Sequence, residues 1–83
     1  MLPKTLTIIT TGPNGYDNRN FQQSFMTVWD AEAYFSLEVT ALENMIEKQE
    51  TITFKNVNTE NEEFSAIYHT GEDNTYYFIM RRS

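Results

Sequence analysis

Residues 30–50, DAEAYFSLEVTALENMIEKQE, decide the fold. At 3.6 residues per turn, Ala31, Tyr34, Phe35, Ala41, Leu42, Met45 and Ile46 fall on one stripe, the signature of an amphipathic helix lying on a core. Asp30 is the expected N-cap, with Ala31, Glu32 and Ala33 in the first turn. The opposite flank reads Glu32, Ser36, Thr40, Glu43, Glu47 and Glu50. A helix apolar along one stripe needs a second layer to cover it, and the flanking segments must supply that layer.

Downstream, residues 51–57 (TITFKNV), 64–70 (FSAIYHT) and 75–81 (TYYFIMR) are rich in β-branched and aromatic residues and read as strands. Their connectors, 58–63 and 71–74, are short and turn-rich, which predicts an antiparallel meander. Upstream, residues 4–10 (KTLTIIT) alternate as a strand. Residues 11–20 (TGPNGYDNRN) read as a surface loop, with Pro13 presetting φ, Asn14 and Gly15 tolerating positive φ, and Asp17 and Asn18 able to form side-chain turns. Residues 21–29 (FQQSFMTVW) fit either period, because Phe21, Phe25 and Trp29 share a face at helical or strand spacing. The reading adopted is a strand paired with the first. Residues 1–83 are therefore expected to form one α+β domain of order ββαβββ. Its antiparallel sheet has four to five strands, with one amphipathic helix packed on one face.

Composition narrows the function. Hydrophobic residues at 40% and aromatics at 14% suit a folded domain. With no cysteine there is no disulfide framework and no thiolate metal site, so a reducing cytoplasm is the expected setting. Met1, Leu2, Pro3 and Lys4 lead into alternating Thr and Ile without the apolar run of a signal peptide, and no stretch approaches the ~20 apolar residues of a membrane span. The net charge of −6 is concentrated in residues 30–63, where Asp30, Glu32, Glu38, Glu43, Glu47, Glu50, Glu60, Glu62 and Glu63 face only Lys48 and Lys55. With so few basic side chains, direct nucleic-acid binding is not expected.

The acidic helix flank is the leading candidate site. Glu43 and Glu47 are four apart and Glu47 and Glu50 three apart, so on one helix each pair would repel by about 0.2–0.5 kcal/mol, near a C-terminus whose dipole also disfavours negative charge. A solvated face that keeps the protein dispersed explains this cost equally simply. The functional reading joins Glu32, Glu43, Glu47 and Glu50 to Glu60, Glu62 and Glu63 as a contact for a protein partner with a basic surface. Carboxylates at helical spacing lie about 5–6 Å apart, close to a phosphate row. The concrete version is a non-catalytic inhibitor that occupies a nucleic-acid-binding groove. Small acidic phage anti-defence proteins work this way as a class, and the likeness here is one of charge and size, with no shared motif.

Other features are weaker. Glu38 falls within the apolar stripe, so it is expected either to pair with Arg, Lys or a tyrosine hydroxyl, or to sit at the edge of a rotated helix. His69, near Glu72 and Asp73 and on the same strand face as Ser65, is the one general acid or base that could be drawn, without a supporting signature. Asn56, Asn58, Glu60 and Glu62 have the alternation of a calcium loop, but Asn61 stands at the glycine position and Ile67 at the twelfth. Gly12 and Gly15 lack a phosphate-loop context, and neither cofactor nor metal is expected. In the last strand Tyr76, Phe78 and Met80 point one way and Tyr77 and Ile79 the other. Either Phe21, Phe25 and Trp29 curl over the second face, or that face meets another protein, with Tyr77 and Ile79 mediating self-association in a homodimer or assembly subunit.

Overall fold

The computed structural model describes residues 4–13, 18–60 and 63–83. The chain runs β1 (Lys4–Thr11), β2 (Arg19–Phe25), α1 (Val28–Glu47), β3 (Ile52–Asn58), β4 (Phe64–Thr70) and β5 (Thr75–Arg82). These form one five-stranded sheet in the order β2-β1-β5-β4-β3, antiparallel at every pairing. This is the expected α+β class and ββαβββ order. The last strand inserts between the N-terminal hairpin and the β3–β4 hairpin, so β5 is the centre of the sheet and β2 and β3 are its edges.

The helix begins earlier than its composition suggests. Thr27, extended at φ −139° and ψ 164°, is the N-cap, and its Oγ1 accepts from the Asp30 backbone N–H at 3.1 Å. Asp30 therefore sits inside the first turn, where its charge favours the positive end of the helix dipole. Residues 21–29 split: Phe21 and Phe25 belong to β2, while Val28 and Trp29 open α1. The β-prone run 26–29 yields no strand because the threonine cap turns the chain there. Trp29 is left 80% exposed, so it does not join Phe25 in packing.

One face of the sheet holds the core. Alternation along each strand turns Leu6, Ile8, Phe64, Ala66, Tyr68, Tyr76, Phe78 and Met80 toward α1, where they meet Ala31, Phe35, Val39, Leu42 and Ile46. Phe35 is the keystone, its ring centroid 5.5 Å from Phe64 and 5.8 Å from Phe78. The buried stripe of the helix is rotated from the expected one: Val39 is buried and Ala41 exposed. That rotation carries Glu38 to the flank, where it pairs with Arg19 of β2 at 3.5 Å. Phe25, which pairs with Lys4, packs against Tyr34 at 5.4 Å on the helix side. The far face of the sheet is thus not closed by the β2 aromatics.

The expected 11–20 loop is shorter, because Thr11 extends β1 and Arg19 and Asn20 open β2. Its base is tied by the Gly12 N–H to Asn18 Oδ1 at 2.9 Å and by the Arg19 N–H to the buried Thr10 Oγ1 at 2.8 Å. The turn roles assigned to Asn14, Gly15 and Asp17 lie outside the described residues. In the β4–β5 turn Asp73 takes φ 65°, a left-handed conformation that Asp tolerates better than most residues. No helix among the described residues is long and apolar enough to cross a membrane.

Phe35→Ala removes the ring that joins the helix to two strands and is expected to cost about 3–5 kcal/mol. Thr27→Ala, which deletes only the cap hydroxyl, is expected to cost about 1 kcal/mol. Urea unfolding should rank the two in that order, and equal midpoints would contradict the packing described.

Candidate functional site

The acidic residues separate into two kinds. Glu43, on the flank of α1 facing β3 and β4, accepts from the Tyr68 hydroxyl at 3.1 Å and from Lys55 Nζ at 3.3 Å. Burial, reinforced by that carboxylate, pushes the Tyr68 phenol above its usual range. On the other flank, burial and then the nearby Glu38 charge raise the Tyr34 phenol. Glu43 and Glu38 thus serve to dock the two sides of the helix on the sheet.

Glu50 is more deeply committed. The helix ends at Glu47, and a tightened last turn brings the Gln49 and Glu50 N–H groups to the Ile46 carbonyl at 3.0 and 2.8 Å. Glu50 therefore lies just past the end of the helix. Its Oε1 accepts from Thr70 Oγ1 at 2.7 Å and Asn74 Nδ2 at 2.8 Å, and its Oε2 from the Tyr76 hydroxyl at 2.7 Å. These three donors, Thr70 first, hold its carboxyl below the usual carboxylate range. The residue clamps the end of α1 to the β4–β5 turn. It also forms the floor of a polar groove of about 290 Å³ lined by Pro13, Gln49, Glu72, Asn74 and Tyr76.

Glu32, Glu47, Glu60 and Glu63 are exposed, and none makes a side-chain hydrogen bond or ion pair among the described residues. Glu62 lies outside them. Glu32 and Glu47 are fifteen positions apart on the helix, about 22 Å along its axis. The Phe35–Phe64 contact brings the start of β4 beside the first turns of α1, so Glu60 and Glu63 lie toward the Glu32 end. Glu47 lies at the other end, near the turn carrying Glu72 and Asp73. The expected continuous stripe is two acidic ends, separated by a middle that Lys55 neutralises.

Between these ends runs a feature the sequence reading missed. Trp29, Ala33, Leu37 and Ala41 recur every four residues on the side of α1 away from the sheet, all exposed, with Trp29 at 80% and Leu37 at 74%. Met26, 62% exposed, precedes them. The four-residue spacing was visible in sequence once Trp29 was placed in the helix.

His69 is exposed on the outer face of β4, with Nδ1 2.9 Å from Thr75 Oγ1 and its ring 5.2 Å from Phe54. Ser65 is four residues away on the same strand, about 13 Å at strand rise, beyond reach of the imidazole. Tyr77 and Ile79 lie half-buried on that outer face. Among the described residues no three His, Cys, Asp or Glu side chains converge as metal ligands. Comparison with known protein families, with curated proteins and with solved structures found no match.

The Glu50 clamp makes a prediction with a defined sign. A carboxylate whose folded pKa is depressed contributes stability that is present above its unfolded value and lost as pH falls through the folded one. Glu50→Gln should therefore melt below the unsubstituted protein at pH 7, and the gap should close as the pH falls through the depressed folded pKa of the Glu50 carboxyl.

Proposed function

We propose that this chain is a non-catalytic binding protein whose outward helix face contacts a protein partner bearing a basic surface. The observation that carries the reading is the pairing of exposed bulky apolar side chains, Trp29 and Leu37, with exposed carboxylates that make no hydrogen bond or ion pair among the described residues, Glu32 and Glu47. Exposed tryptophan is costly to leave in water and is enriched among residues that dominate binding energy. Free carboxylates beside it steer and orient a basic partner. Glu60 and Glu63 extend the contact beyond the Glu32 end. In the most specific form of the proposal the partner surface is one that otherwise binds nucleic acid, and the protein acts in the cytoplasm as its inhibitor.

An enzymatic reading through His69 is less supported, since its ring faces Phe54 and a threonine hydroxyl and no carboxylate partner accompanies it among the described residues.

The internal roles of Glu43 and Glu50 determine how the proposal is tested. Changing them would perturb folding and binding together, so the informative variant replaces Glu32, Glu47, Glu60 and Glu63 by Gln. Capture from host lysate should yield a partner that salt releases, that the four-site variant fails to retain, and whose nucleic-acid binding the unsubstituted protein competes away. Equal retention by the variant and the unsubstituted protein would exclude the acidic contact.

A further inference from the structure

The sheet has a second face that no layer of the described residues covers. At its centre Ile9 of β1 pairs directly with Ile79 of β5, and Tyr77 of β5 pairs with Ile67 of β4. All four are only half-buried, because neighbouring strands shield their sides and no layer lies above them. Outward from this centre most side chains become polar and uncharged, Asn20, Gln22 and Ser24 on edge strand β2 and Asn56 and Asn58 on edge strand β3, with the exposed ring of Phe54 beside His69 as the apolar exception. An apolar centre inside a polar rim is the anatomy of a protein interface.

The charge on this face is more selective still. The chain has a net charge of −6, yet no strand residue whose side chain points to this face is Asp or Glu; the register leaves only Arg81 and His69 as ionisable cationic groups there. The described carboxylates lie on the helix, after it and in the turns. A basic partner finds nothing here to recognise. A second, identical acidic chain finds here a broad surface on which no strand carboxylate repels its own.

We propose that a second copy of this chain packs on this face, making an isologous dimer in which two sheets meet with Tyr77 and Ile79 at the centre of each. The helices, and with them the acidic surfaces, then lie on the two outer sides. Two sheet layers separate them, further apart than the ~8–10 Å over which charge acts at physiological ionic strength. The size is sufficient. Five strands at ~4.8 Å spacing and paired lengths of ~20 Å present on the order of 500 Å² per copy, so the pair buries about 1,000 Å², the lower bound for a specific interface. This interface leaves Trp29, Leu37, Glu32 and Glu47 uncovered for the binding proposed above.

Sedimentation velocity over a hundredfold concentration range reaching about 1 mM tests this. The unsubstituted protein should pass from monomer to dimer, and added salt should favour the dimer by screening the mutual repulsion of the two acidic chains, opposite to its effect on a basic partner. Ile79→Asp, which puts a charge on the half-buried centre, should remain monomeric throughout with an unchanged circular dichroism spectrum. Tyr77→Lys provides the same test with the opposite sign of charge, should either variant fail to fold. Trp29→Ala with Leu37→Ala should dimerise as the unsubstituted protein does. A protein that stays monomeric at the highest concentration overturns the proposal, as does a dimer that survives both central charges or is lost only with the helix-face variant.

Discussion

A single helix can cover only one face of a five-stranded sheet, and the rest of this structure follows from which face it covers. Phe35, seated against Phe64 and Phe78, fixes α1 over the central and neighbouring strands. Alternation along each strand then decides burial for the whole molecule: one set of side chains becomes core, and the other is left without a second layer. Because β5 is the middle strand, both of its faces are central, which is why Tyr76, Phe78 and Met80 are buried while Tyr77 and Ile79 are apolar at half-exposed positions.

The same constraint sorts the carboxylates. A helix held by one apolar stripe can still roll, and the flanks resist that roll through polar contacts: Glu38 to Arg19 toward β2, and Glu43 to Lys55 and Tyr68 toward β3 and β4. Glu50, accepting from three donors, anchors the segment after the helix to β4, β5 and the turn between them. Bonds to an ionised acceptor are stronger than neutral ones, so acidic residues suit these positions. What remains after this assignment is a smaller set of carboxylates at the two ends of the helix, with an apolar crest between them.

The element order was legible because each element carries its own period: alternation in residues 4–10, 64–70 and 75–81, and helical recurrence in 30–50. The helix start was not, since Thr27 acts as the cap through a hydroxyl bond to Asp30 that competes with the strand propensity of Val28 and Trp29. Placing Trp29 in a strand hid the four-residue recurrence to Leu37 on the outer helix face. A buried stripe shifted from Ala41 to Val39 is a rotation too small for residue spacing to resolve, yet it determines whether Glu38 faces the core or an arginine.

By itself the sequence determined the α+β class, the order of elements, the two-sided apolar character of β5 and the concentration of negative charge in the middle of the chain. These depend on local periodicity and composition, which neighbouring residues carry among themselves. Only the tertiary structure decided which carboxylates are internal ligands, because the partners of Glu50 lie twenty or more positions away in β4, β5 and their turn. It alone decided that the open sheet face is free of acidic side chains. Five strands from distant segments contribute to that face, and its charge exists only once their register is set.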